Sequence, residues 1–203
     1  NVESRGLGDV YKRQGDMSWV AVDGYTAATM LGISAQDGYA NMPDAFTWSN
    51  AFFGLVPGSI GETSTVAILV GLAILLFTKI ASYRIVGGVI LGTIVTSYLF
   101  NLIGSDTNPM FQMPFWWHMV MGGYAFGLVF MATEPVSGSH TNTGRWIYGF
   151  VIGFMVIMIR VLNPAYPEGM MLAILFGNLL SPLIDHFVVS RNISYRVKVL
   201  NAK

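Results

Sequence analysis

The sequence predicts an all-α integral membrane protein, and three observations predict it. Apolar residues make up 53% of the 203 positions and charged residues only 11%, where a typical globular domain carries about 25% charged residues. The mean hydropathy is +0.55. Five separate runs each hold roughly 20 mostly apolar residues, the length a helix needs to cross a bilayer. The 23 glycines fit the same class, because membrane helices use small residues where backbones approach closely.

The chain begins with a stretch that does not share this pattern. Glu3, Arg5, Asp9, Lys12, Arg13 and Asp16 place six charges in the first 16 residues. The run Arg5–Gln14 continues nothing found downstream and resembles translated adaptor sequence. Residues 1–14 are therefore set aside as a non-native leader, with the native segment expected to start near Gly15 as a piece of a longer protein. Residues 15–62 form a mixed segment in which Trp19, Tyr25, Phe46, Trp48, Phe52 and Phe53 stand among polar and small residues, a composition suited to the membrane–water interface. A short helix is expected over Asp44–Leu55, ending at Pro57-Gly58. Ahead of it, Asp23-Gly24-Tyr25-Thr26-Ala27-Ala28-Thr29 reads by composition as a turn, with Asp-Gly favouring positive φ and hydroxyls capping nearby backbone.

The membrane domain covers 63–190, with spans expected at 63–81, 84–104, 112–133, 145–162 and 168–190. Pro114 and Pro182 are breakers inside the third and fifth runs, and Pro182 is expected to kink or break its helix. Such a break either lines a site or is simply packed. Gly87-Gly88 with Gly92, and Gly122-Gly123 with Gly127, read as close helix contacts.

Charge gives an orientation. Lys79 and Arg84 bracket the first connection, Arg145 ends the third, and Arg191, Arg196, Lys198 and Lys203 form a basic tail over 191–203; the second and fourth connections lack Lys and Arg. By the positive-inside rule the C-terminus is cytoplasmic and the Asp23–Thr29 stretch lies on the outer face. Arg160 is the exception, and either snorkels or pairs with Glu168.

Ionisable groups in or beside a span are functional candidates. Glu62 lies at the mouth of the first span, Glu134 at the end of the third and Asp185 within the fifth. Carboxylate and carbonyl oxygens suit a hard cation, and a helix broken at Pro182 would free carbonyls next to Asp185. The alternative is that Glu62 and Glu134 are headgroup-level helix ends. His118 and His186 lack metal-ligand spacing and read as structural. Trp116-Trp117-His118 reads as packing or an interface anchor, with ring stacking on a quinone or flavin as the lesser alternative. The chain has no cysteine, which excludes disulfides and Cys-ligated zinc or iron–sulfur clusters within it and leaves organic cofactors as its redox option. Net charge is zero and no basic block marks a nucleic-acid partner. No Gly-x-Gly-x-x-Gly joins a strand to a helix, which excludes a soluble dinucleotide-binding unit.

Several segments together carry a resemblance. Asp23–Thr29 matches the flavinylation pattern Asp-x-x-(Ser/Thr)-x-Ala-Thr. Gly58–Ser64, Asn108-Pro109-Met110-Phe111, Met131–Ser137 and Leu183-Ile184-Asp185-His186 follow in order, and from about Gly15 to Lys203 the chain resembles the NqrB-type subunits of Na+-translocating NADH:quinone reductases. The resemblance implies one five-helix repeat of an inverted-repeat fold like that of urea and ammonium transporters. It implies FMN bound covalently to Thr29 as a phosphoester, with Asp23, Thr26 and Ala28 completing the motif. It further implies a non-covalent riboflavin, ubiquinone as electron acceptor, and Na+ handling by Asp185, Glu134 and Glu62. Implied partners are the other subunits of one complex in the bacterial inner membrane, a flavin transferase, ubiquinone and membrane lipid. The family's quinone-binding glycines lie in the other repeat, so no quinone residues are assigned. Two alternatives stand beside this reading: the RnfD-type flavin carrier of the Rnf electron-transport complex, which serves ferredoxin and NAD+, and a non-redox transporter or channel of the same fold.

Overall fold

A computed structural model describes residues 30–39, 42, 46–56, 58, 61–105, 108–163 and 168–201. Thr29, Asp23, Thr26 and Ala28 lie outside the described residues. Among those described, every regular element is helical and no strand occurs.

Two short helices come first. α1 is Met30–Asp37 and α2 is Trp48–Phe53. α2 starts where the Thr47 hydroxyl accepts from the Asn50 N–H and stops at Gly54, whose φ of 87° is left-handed. It falls inside the helix expected over 44–55. Its indole and rings stack, Trp48 on Phe52 at 5.0 Å.

α3, Thr65–Phe77, is capped by the Ser64 hydroxyl, which accepts from the Ala67 N–H. Its 13 residues cover only about 20 Å, less than the roughly 30 Å hydrocarbon core. The first span is thus shorter than the expected 63–81. α4, Tyr83–Ile103, and α7, Asn142–Leu162, match the second and fourth expected spans closely. Together with α8, Met170–Asn201, they are the three described helices long and apolar enough to cross a membrane.

α7 is central, packed on α4 along one side and on α8 along another. The α4–α7 seam is glycine on glycine. A Cβ on Gly88 would stand 3.1 Å from Gly149 Cα, and one on Gly92 3.0 Å from the Phe154 nitrogen. Gly87-Gly88 and Gly92 therefore serve close helix packing, as their sequence implies. On the other side, Tyr148 donates to the Asn178 side-chain oxygen at 2.6 Å, tying α7 to α8.

Two expected breaks are not found where the prolines stand. α8 runs through Pro182 without interruption and continues to Asn201, absorbing the basic stretch from residue 191. Proline removes one backbone donor, but in lipid a broken helix would leave several polar groups unsatisfied, so losing one bond costs less than opening the helix. The third run breaks elsewhere. A 3-10 turn over Pro109–Gln112 leads to α5, Phe115–Val120. The chain then turns at Met121–Gly123 and resumes as α6, Tyr124–Phe126, which continues into a π-helical turn, Gly127–Met131. Pro114 only precedes α5, where a missing N–H costs nothing. Gly122 and Gly123 are the break itself.

Candidate functional site

The interruption of the third run leaves helix ends buried. The carbonyls at the end of α5 and the N–H groups at the start of α6 need partners away from water. Two side chains supply them. Arg160, 0% exposed, donates from Nη1 to the His118 carbonyl at 2.7 Å and from Nη2 to the Met121 carbonyl at 3.0 Å. Its Nε donates to the Glu168 backbone carbonyl at 3.1 Å. On the other side of the break, the Gly123 N–H donates to Glu168 Oε1 at 2.7 Å. Nη2 lies 3.7 Å from the same Oε1. The fork of the guanidinium suits two carbonyls and a carboxylate at once. Arg160 therefore pairs with Glu168 and does not snorkel.

Glycine is required here. Gly122 has φ 59°, and a side chain on it would meet the Glu168 carboxylate. A Cβ on Gly123 would stand 2.8 Å from Glu62 Oε2 and 3.2 Å from Glu168 Oε1. The break thus gathers Glu62 and Glu168 around one pair of glycines. Beside them lies a cleft of about 340 Å³, walled by Glu62, Gly123, Phe126, Gly127, Met131, Glu168, Met170 and Met171. A smaller one of about 70 Å³ adjoins it, reaching Met30, Leu31, Glu62, Gly122 and Glu168.

α1 is seated on this break. Met30 and Leu31 are 4% and 3% exposed. The Ser34 hydroxyl donates to the Met30 carbonyl at 2.7 Å and lies 3.6 Å from the Met121 sulfur. Beneath the break, Tyr124 hydrogen-bonds Thr93 of α4 at 2.8 Å, and the Arg160 guanidinium stands 5.6 Å from the Tyr124 ring. His118 is buried, its Nδ1 without a hydrogen-bond partner.

Glu134 and Asp185 are elsewhere. Both carboxylates organise the loop before α7. Glu134 accepts from the Val136 N–H at 3.0 Å, the Ser137 N–H at 2.9 Å and the Ser137 hydroxyl. The Ser137 hydroxyl, followed by the two backbone donors, holds its pKa below the ordinary carboxylate value. Asp185 accepts from the Ser139 hydroxyl at 2.6 Å, the His140 N–H at 2.8 Å, and the Thr141 N–H and hydroxyl at 3.1 and 2.6 Å. Thr141 is also the N-cap of α7, accepting from the Gly144 N–H at 3.1 Å. α8 is continuous through Pro182, so no broken segment opens a set of carbonyls next to Asp185; the missing proline N–H leaves only the carbonyl four residues earlier without its helical donor. Arg160 lies sixteen residues beyond Gly144 on α7, about 24 Å at 1.5 Å per residue. Glu62 therefore sits near one end of the bundle, and Glu134 and Asp185 near the other.

From sequence, Glu168 was visible only as a partner for Arg160, and its grip on the break was not. The usable signal was a Gly-Gly pair inside an apolar run, a common cause of helix interruption, together with an arginine inside a span.

Residues 11–194 match the NQR2, RnfD, RnfE family. The chain is 63% identical over 184 residues to the B-type subunit of the Na(+)-translocating NADH-quinone reductase of Azotobacter vinelandii, covering 90% of this chain and 46% of the relative. Relatives of the same name come from Stutzerimonas stutzeri, 61% identical over 90% of this chain and 46% of theirs, and Chromohalobacter salexigens, 58% identical over 91% and 45%. The chain thus spans about half the length of the curated relatives it matches. With most of its length matched to one family, and its apolar helices arranged as a membrane protein, this chain belongs to the NQR2, RnfD, RnfE family.

Proposed function

We propose that this chain is the flavin-carrying half of a membrane subunit in a Na+-pumping NADH:quinone reductase. Thr29 would hold FMN as a phosphoester through its hydroxyl oxygen, with Asp23, Thr26 and Ala28 shaping the segment that a flavin transferase recognises. When bound, the flavin supplies reversible electron transfer, taking electrons from a partner subunit and passing them through riboflavin towards ubiquinone. The chain's own contribution is anchorage and tuning. One observation carries the reading: Met30 and Leu31, which directly follow the motif, are buried against the break beside Glu62 and Glu168. A helix so seated ties a cofactor attached one residue earlier to the body of the protein and limits its range, as electron transfer requires.

Asp185, Glu134 and Glu62 would handle Na+, with groups near each end of the bundle. The five apolar runs would form one repeat of a urea- and ammonium-transporter-like fold in the bacterial inner membrane, with the C-terminus cytoplasmic and the Thr29 segment periplasmic. The family description also names RnfD; identities of 58–63% to quinone-reductase subunits favour the reductase. A channel of the same fold has no use for the flavinylation motif.

The test is in-gel flavin fluorescence of the full-length protein, denatured after co-expression with a flavin transferase. The band is expected to vanish in Thr29→Ala and persist in Thr26→Ala. A band that survives Thr29→Ala overturns the assignment. For the cation, quinone reduction by the assembled complex is measured against Na+ concentration. An apparent Na+ affinity unchanged in Asp185→Ala removes that residue from the path.

A further inference from the structure

The polar side chains in the seam between α7 and α8 stand in file. On α8, Asn178, Ser181 and Asp185 fall within about 60° of helix circumference and cover about 10 Å of rise. Asp185 is at the end of the bundle, bonded to the loop before α7. Ser181, 4% exposed, is one turn further in, and Asn178 is the next. Tyr148 of α7 meets the file from the other side. It is fully buried and donates to Asn178 Oδ1 at 2.6 Å.

Tyr148 also meets the loop of the second acid. The Glu134 carboxylate acts electrostatically on the Tyr148 hydroxyl. A Cβ on Gly138 would stand 3.4 Å from the Glu134 carbonyl oxygen and 3.6 Å from Tyr148 Cε1, and one on Gly177 3.3 Å from Tyr148 Cε2. The loop of Glu134 therefore lies along one edge of the ring and α8 along the other. Further in, the seam is apolar: Gly177 lies against Ile152, and Ala173 and Ile174 are buried. The file thus runs from Asp185 to Tyr148 and stops there, between the two carboxylates.

A single interhelical hydrogen bond is enough to hold two membrane helices together. It does not call for a row of oxygens that ends on a carboxylate, and each polar group placed inside a span is costly. Phenol, amide and hydroxyl oxygens are the neutral hard donors that suit a hard cation. Conduction asks for several weak sites in series, so that an ion can leave as readily as it enters.

We propose that Tyr148 Oη and Asn178 Oδ1 form an inner cation station, reached from Asp185 past Ser181, from which an alkali cation moves on towards Glu134. On arrival of the ion the Tyr148 hydroxyl proton turns away from Asn178, and both oxygens offer lone pairs to the cation. The inference rests on Asp185 lying on the cation path.

The experiment uses the full-length protein in the assembled complex. Quinone reduction is measured against Na+ and, separately, Li+ concentration. Tyr148→Phe removes one oxygen of the pair and Asn178→Leu the other. Each is expected to raise the half-saturating Na+ concentration several-fold, to lower the maximal rate far less, and to alter the ratio of Na+ to Li+ affinity. Asn178→Asp, which keeps an acceptor oxygen, is expected to bring the affinity back. A lowered unfolding temperature with unmoved Na+ and Li+ curves would show that the pair only ties the helices, and overturns the proposal. Equal loss of rate at every Na+ concentration overturns it too. Asp185→Ala is measured alongside. If it shifts the Na+ curve and Tyr148→Phe and Asn178→Leu do not, the station is wrong and Asp185 stands. If Asp185→Ala leaves the curve unmoved, the path is wrong and the station falls with it.

Discussion

Arg160 Nη2 stands 3.7 Å from Glu168 Oε1, and these two side chains grip opposite sides of the break in the third run. The arginine takes the carbonyls of His118 and Met121, and the glutamate takes the Gly123 N–H. Arg160→Met would leave the carbonyls of His118, Met121 and Glu168 without this donor and the Glu168 carboxylate without its cation. Removing one member of such a pair costs about 3–5 kcal/mol. The full-length protein in detergent should show a clearly lowered unfolding temperature. Glu168→Gln, whose amide oxygen can still accept from Gly123, should cost less. Equal stability of Arg160→Met and the wild type would contradict the arrangement.

The glycine seam between α4 and α7 sets a second expectation. A methyl group on Gly153 would press on the Val89 carbonyl and reach the Thr93 nitrogen at 2.8 Å. Gly153→Ala should therefore force the helices apart, at a cost of about 1–3 kcal/mol or more. Ser190→Ala, on the exposed part of α8, should change little. The two unfolding transitions, compared in one detergent, decide the matter.

Asp185 fixes the start of α7 through four donors from Ser139 to Thr141. In Asp185→Asn the amide nitrogen replaces one acceptor oxygen and faces a donor. Losing a charged hydrogen bond of this kind costs about 1.5–3 kcal/mol. Amide exchange at His140 and Thr141 should quicken, while exchange in the middle of α4 stays unchanged. Unaltered exchange at both amides would show that the carboxylate does not hold the loop.

Glu134 gives the loop a pH dependence. Its folded pKa is depressed, first by the Ser137 hydroxyl and then by the Ser137 and Val136 amides. A depressed acid contributes order above its unfolded pKa, ordinarily about 4.3, and loses that contribution as the pH falls through the lower folded value. The Val136 and Ser137 amides should remain protected through the ordinary glutamate range and open only below it. Ser137→Ala should move the midpoint upward, and Glu134→Gln should remove the transition. A midpoint unmoved in Ser137→Ala would count against the bond.

Elements set by uninterrupted local pattern were legible in the sequence, and those set by distant partners were not. α4 and α7 lie within a few residues of their expected bounds because unbroken apolar runs in lipid have no alternative to helix. The Thr141 cap explains why α7 starts three residues before 145. α1 was not foreseen, because it is held by burial of Met30, Leu31 and Ser34 on residues around Met121 rather than by its own periodicity. Gly122-Gly123 fits a close contact as well as a turn, and what decides between them is Glu168, 45 residues away. Pro182 misleads: its missing donor is a local fact, but the continuity of α8 follows from the surrounding lipid. The flavinylation heptapeptide lies outside the described residues, and its role rests on the motif and on the seating of the helix that follows it.

The brevity of α3 has an electrical consequence. A helix of about 20 Å set across a hydrocarbon layer of about 30 Å would be met by thinned lipid or by a polar indentation. Either narrows the insulating layer at that point. A membrane potential is worth about 2.3 kcal/mol per elementary charge per 100 mV, and across a thinner septum the same voltage falls over a shorter distance. With α3 set across the layer, the field would be steepest next to the short helix, on the side of the bundle where Glu62 lines the cleft.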